Sequence, residues 1–95
     1  MDSFHFEWDQ NKNQSNHEKH AVSFEEAQTV FYDENAIEYY DQNHSSEEER
    51  FIMLGISYQL SLLVVCYCIR KHNAIRIISA RKATKKEAKA YGKGI

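Results

Sequence analysis

The run Leu60–Ile69, LSLLVVCYCI, constrains the fold more than any other stretch of the chain. It is apolar at odd and even positions alike, so as a strand it has no face suited to water. Such a strand belongs at the centre of a sheet, and its neighbours in sequence supply the flanks. In Arg50–Tyr58, Ile52, Leu54 and Ile56 share a face with Arg50, and Phe51, Met53 and Gly55 take the other, so this too reads as an interior strand. Ala74–Ala80 is the next strand. The links between them, Ser57–Gln59 and Arg70–Asn73, are short, and short links favour antiparallel pairing.

The remaining elements follow from local pattern. Phe4, Phe6 and Trp8 alternate with His5 and Glu7 as in a half-buried strand, with Trp8 read as core. Asp9 caps a polar helix from Gln10 to about Lys19, which must be held by its neighbours because it has almost no apolar face. Ser23 and Glu26 have the spacing of a capping box, and Phe24, Ala27, Val30 and Phe31 form the stripe of a second helix. Ala36–Asp41 alternates as a strand, Gln42–Glu49 reads as a polar hairpin loop, and Thr84 with Glu87 opens a terminal helix through a second capping box. The order is β-α-α-β-β-β-β-α. This is an α+β fold, a small twisted and largely antiparallel sheet with two N-terminal helices and one C-terminal helix, in a single domain over residues 1–95.

Composition narrows the class. With no proline and three glycines the chain has little material for long linkers, and no apolar run approaches the ~20 residues that span a bilayer. The opening MDSFHFEWD is acidic and aromatic, the reverse of a signal peptide. Cys66 and Cys68 sit two apart, on one face of a strand, and read as reduced core residues of a cytoplasmic protein. His17 and His20 lie three apart on a helix with no third ligand at metal spacing, so neither a metal nor a cofactor is expected. Charge is split along the chain. Residues 1–50 carry 13 Asp and Glu against 3 Lys and Arg, and residues 51–95 carry 1 Glu against 9 Lys and Arg. That polarity suits an anionic partner on one side and a cationic one on the other, unless the halves neutralise each other across the fold.

Arg81 stands between a strand and a helix N-terminus, a place that suits anions and suggests a phosphate-binding corner; the plainer reading is a solvated arginine. A phosphodiester opened by attack of a hydroxyl needs a base, cations for the pentavalent phosphorane and an acid for the leaving oxygen. Arg50 and Arg81, at the ends of neighbouring strands, are the candidate phosphate stabilisers, and Lys19 or His20 is the candidate base or its helper. His20 also reads as a helix C-cap. Lys12, Arg76, Lys82 and Lys85 are candidate substrate contacts, with Arg76 alternatively a partner contact.

These residues lie in blocks. Phe6–Asp33 reads F-x-W-D-x-x-K-N-x-x-N-x-x-K-H-x-V-S-F-x-E-A-x-x-V-F-x-D; E-x-R-F-x-x-L-G follows at Glu48–Gly55, then L-x-V-V and R-I-I-S-A-R-x-A. In this order they resemble the BrnT family of ribonuclease toxins from bacterial type II toxin–antitoxin modules, over nearly the whole chain. The resemblance implies a RelE-like fold and metal-independent RNA cleavage. It also implies neutralisation by a BrnA-like ribbon-helix-helix antitoxin in a two-plus-two complex that reaches operator DNA only through the antitoxin. One departure is Ala21, where the family usually has the glycine that ends the first helix. Two other readings compete: a toxin homologue without activity, against which the presence of Arg50 and Arg81 counts, and a module that only binds nucleic acid or protein, which is compatible with the charge split.

Overall fold

The structure, a computed structural model, describes residues 4–93. The start of the acidic N-terminal segment and the side chain of Lys93 lie outside the described residues. In chain order the elements are β1 (His5–Glu7), α1 (Gln10–His20), α2 (Phe24–Ala27), β2 (Ile37–Tyr40), β3 (Arg50–Ile56), β4 (Leu62–Arg70), β5 (Ala74–Lys82) and α3 (Lys85–Lys93). Single 3₁₀ turns stand at Gln28–Tyr32, Gln42–His44 and Lys71–Asn73. One five-stranded sheet runs β1-β5-β4-β3-β2, so the doubly apolar segment is its central strand. β2, β3, β4 and β5 pair antiparallel in sequence order, whereas β1 lies parallel to β5 and makes the sheet mixed. Short links dictate only the pairing of consecutive strands, and β1 reaches its neighbour across the whole intervening chain.

One face of the sheet carries the core. Leu63, Val65 and Tyr67 of β4, Ile75, Ile77 and Ala80 of β5, and the half-buried Phe51 and Met53 of β3 pack against Val22, Phe24, Ala27, Val30 and Phe31. Tyr67 stands edge-on to Phe31, with ring centroids 4.9 Å apart, and its hydroxyl donates to Glu38; burial first, then that bond, push the phenol pKa far above its ordinary value. Gly55 lets the helical layer come close: a Cβ there would stand 3.1 Å from Ala36 Cβ and 3.2 Å from Val30 Cβ. A bulge in β5 decides what faces away from this core. Cys66 pairs with Ser79 and Tyr67 with Ile77, which leaves Ile78 without a partner and reverses the alternation beyond it. Ala80 therefore falls on the core side, and Arg81, opposite Val64, falls on the other.

The polar helix α1 is fixed by two buried asparagines three residues apart. Asn16 donates from Nδ2 to the Val22 carbonyl (2.9 Å) and the Ala80 carbonyl (2.8 Å), and its Oδ1 accepts from the Ala80 N–H at 3.1 Å. β1 pairs β5 only along Ala74–Arg76, so here one side-chain amide stands in for the missing strand. Asn13 accepts from the Phe24 N–H and donates to Glu25, both at 2.8 Å. The helix ends at Ala21, which adopts the left-handed conformation (φ 59°, ψ 28°) while its N–H donates to the His17 carbonyl. The turn is the one a glycine would make, at a cost to alanine of about 1 kcal/mol.

The two expected capping boxes differ. Ser23 Oγ accepts from the Glu26 N–H at 3.0 Å, but the buried Glu26 carboxylate accepts from Ser57 Oγ instead of returning to the cap, so that box is half made. Thr29, whose hydroxyl back-bonds to the Glu26 carbonyl at 2.7 Å, marks where α2 tightens into its 3₁₀ turn. At α3 the box is complete: Thr84 N–H donates to Glu87 Oε1 (2.8 Å) and Glu87 N–H to Thr84 Oγ1 (3.2 Å). Arg81 clasps the same carboxylate through two 2.9 Å bonds, and Tyr91 donates to Asp33 at 2.7 Å. These bonds hold a helix with little apolar surface of its own.

Two expectations follow. Asn16→Ala leaves three buried backbone bonds without partners, and at about 1–3 kcal/mol for an orphaned group it lowers unfolding stability by at least about 2 kcal/mol. Urea titration measures this, and an unchanged midpoint would refute the clamp. The second concerns acid. Arg81 above all holds the Glu87 carboxyl down, to about 2 from an ordinary 4.5. A depressed carboxylate contributes fully above about pH 4.5, and the contribution is lost as the pH falls toward 2. Hydrogen-exchange protection at Ala88–Tyr91 should fall over that interval relative to β4, and Glu87→Gln should abolish the pH dependence; equal protection at both ends would count against it.

Candidate active site

The second face of the sheet is partly open. Successive rows across it place Leu54, Val64 and Arg81 together, then Ile52, Cys66 and Ser79, then Arg50, Cys68 and Arg76. α3 covers the first row from the side, where Ala90 and Glu87 meet Leu54 and Tyr39. Beyond it a hollow of about 440 Å³ remains, floored by Ile52, Val64 and Cys66. Arg81 and Ser79 of β5 and His20 at the end of α1 form one wall; Asp41, His44 and Arg50 form the other. A smaller recess adjoins it, shared through His20, Ile78 and Ser79 and lined by Lys12 and Lys19.

Arg81 does not stand just past the strand, as its spacing suggests, but within β5, and the anion corner beside it is filled from inside the chain. The Glu87 carboxylate receives the guanidinium fork and the Thr84 N–H together, in the arrangement a bound phosphate would adopt. That bond raises the guanidinium pKa, so the positive charge is permanent. Two bonds to Glu87 and one to the Lys82 carbonyl leave donors of the guanidinium over for a ligand. Arg50 is held differently. Its Nε is buried and makes no hydrogen bond among the described residues; the Glu48 carboxylate stands 3.5 Å away, at ion-pair distance. A buried donor without an acceptor is rare enough to ask what it is for.

The loop between β2 and β3 is closed at its base, which fixes Arg50 relative to the other wall. The Asp41 N–H donates to the Arg50 carbonyl at 2.9 Å, the Arg50 N–H donates to Ser45 Oγ at 3.0 Å, and Ser45 Oγ bonds the Asp41 carbonyl at 2.5 Å. Asp41 is buried, and His44 Nδ1 lies 3.0 and 3.2 Å from its two carboxylate oxygens. From sequence, Asp41 reads as the last residue of a strand and His44 as part of the polar hairpin loop that follows. Their only sequence signal is the Asp-x-x-His spacing, which sets a carboxylate and an imidazole one turn apart.

Of the residues singled out from sequence, Arg50, Arg81 and His20 meet around the hollow, and Lys12 and Lys19 line the recess next to it. The structure does not bring the others there. Arg76 shares the open face but lies farther along, paired with Glu7 at 3.0 Å. Lys82 is opposite Leu63 and so is directed to the other face, as ordinary strand alternation beyond the bulge requires. Lys85 is exposed at the start of α3, away from the hollow. Trp8 packs against the core, with its ring centroid 6.1 Å from that of Phe24. Burial, the largest influence, raises both cysteine thiols, so Cys66 in the floor is not a ready nucleophile. No helix among the described residues is long and apolar enough to cross a membrane.

Comparison with known proteins shows the family and the fold. Residues 8–87 match the model of the family described as the ribonuclease toxin BrnT of type II toxin–antitoxin systems. No curated protein sequence matches the chain. Among solved structures, the crystal structure of the Brucella abortus ribonuclease toxin BrnT superposes with a TM-score of 0.68 at 21% identity, covering 87% of this chain and 100% of that one. The likeness at that identity is one of fold: an α+β domain with the same general architecture. The family match spans both arginines, the hollow between them and the clamped polar helix, and the chain belongs to the BrnT family of ribonuclease toxins.

Proposed function

We propose that the open face is the active site of a metal-independent endoribonuclease acting in the cytoplasm, on a fold of the RelE-like kind. The observation that carries this reading is the convergence of Arg50 and Arg81, from different strands, on one hollow that His20 and His44 also line, with an Arg50 Nε that makes no hydrogen bond among the described residues. Two fixed cations in a partly dehydrated recess match the charge of a phosphorane, which has more negative charge than the phosphodiester it forms from. Lys19 beside His20, and Lys12 about two turns back, extend positive charge along the recess where the next phosphate of a strand would lie. Glu87 fixes the direction of the Arg81 fork and competes with the substrate for it.

The antitoxin reading rests on the family and on charge. Lys85, Lys86 and Lys89 are exposed on α3 and make no ion pair among the described residues, so the basic half is only partly neutralised from within. That surface suits an acidic segment of a BrnA-like ribbon-helix-helix antitoxin, in a two-plus-two assembly whose contact with operator DNA is made by the antitoxin.

Arg81→Ala and Arg50→Ala should each lower cleavage of RNA in EDTA about a hundredfold or more, the usual cost of removing one donor to a developing negative charge, with circular dichroism unchanged. Cleavage that stops with chelator and returns with a divalent metal would overturn the mechanism. Expression of the chain should arrest growth. Co-expression of the adjacent ribbon-helix-helix protein should relieve the arrest and co-purify near one to one. Harmless expression at verified levels, with bulk RNA intact, would favour a homologue that has lost activity.

A further inference from the structure

We infer that His44, held by Asp41, is the general base of the cleavage reaction; this rests on reading the hollow as the ribonuclease site. An ionised carboxylate only accepts hydrogen bonds, so the imidazole nitrogen beside Asp41 carries its hydrogen and the other nitrogen keeps its lone pair. A buried carboxylate behind an imidazole both fixes the tautomer and stabilises the imidazolium that forms when a proton arrives, which is the task of a base. Asp41 is 8% exposed and the His44 side chain 67% exposed, so the carboxylate is shielded while the ring is open to substrate.

Position supports the assignment. His44, one turn inside the loop, and Arg50, at its closed base, line the same hollow, so a phosphate on Arg50 brings its ribose to the His44 side. His20 stands on the opposite wall, across β4. In the step, His44 Nε2 takes the proton of the 2′-hydroxyl, the 2′ oxygen forms its bond to phosphorus, and the bond to the 5′ oxygen breaks. The 5′ oxygen leaves with a proton from His20. The products are a 2′,3′-cyclic phosphate and a 5′-hydroxyl, and solvent restores both imidazoles. Asp41 touches no substrate and is a positioning residue.

The test uses the full chain, freed of antitoxin, on a labelled mRNA presented both free and on translating ribosomes. His44→Ala and His44→Gln should lower kcat about a hundredfold with little change in KM, and added imidazole should restore part of the activity of His44→Ala. Asp41→Asn, which keeps the shape but accepts the wrong tautomer, should lower kcat without changing KM and should not respond to imidazole. If both His44 variants cleave as the unaltered protein does while Arg81→Ala does not, His44 is not the base, and the ribonuclease reading of the hollow stands. If the unaltered protein leaves both RNA substrates intact, the reading of the hollow fails and His44 loses its role with it.

Discussion

Asn16 is the contact through which the helical layer and the sheet become one body. Its amide satisfies both backbone groups of Ala80 and the carbonyl of Val22, at the point where β1 has stopped and β5 would otherwise expose an edge inside the molecule. An apolar side chain there would leave those groups dehydrated and unpaired, a worse outcome than losing ordinary packing. The same bonds set the end of α1 over β5, so His20 reaches the hollow and Lys19 reaches its recess. A helix with almost no apolar face can dock in this way because two asparagines bind backbone, and backbone is present whatever the side chains are.

The legible part of this chain is the part governed by periodicity. The double apolar pattern of β4, the alternation in β3 and the stripe of Phe24, Ala27, Val30 and Phe31 each specify burial by local spacing, and all of them are buried or interior. Arg50 stands out because it breaks an apolar face, and Arg81 because it ends an apolar run. What could not be read depends on contacts distant in sequence. Neither the parallel pairing of β1, nor the Ser57 hydroxyl that draws Glu26 away from its cap, nor the closure of the β2–β3 loop is written in any local pattern. Asp41 and His44 were hidden for that reason: one reads as a strand end and the other as part of a solvated polar loop until the ends of that loop are seen to be pinned.

Electrostatics around the hollow are arranged by acids as much as by bases. Glu87 binds Arg81 strongly enough to stay ionised far into acid, and Glu48 lies within ion-pair distance of both Arg50 and Arg70. These carboxylates reduce the net field of the site while keeping each guanidinium in place. A cation so held needs little reorganisation when negative charge develops in front of it. The opposing effect is competition, since a phosphate must share the Arg81 fork with Glu87, and the balance between aim and occupancy is set by how firmly α3 is seated.

The unpaired Ile78 gives the open face its chemistry in a way that can be put as arithmetic. Up to Ile77 the odd residues of β5 face the core; after Ile78 the even ones do. Arg81 is at an odd position and is outside only because the count shifts by one. Parity, not distance, thus links the length of this strand to its function. Were β5 paired at its present length without the bulge, every hydrophobic residue before Ile78 would keep its place and the guanidinium would turn inward toward the core, whereas loss of Ile78 alone would remove the bulge and leave Arg81 on the open face. Lineages carrying this fold should therefore tolerate insertions and deletions in the β3–β4 and β4–β5 turns, where parity is reset by the turn itself, far more readily than between Ser79 and Arg81, where one residue more or less reverses the face that Arg81 takes.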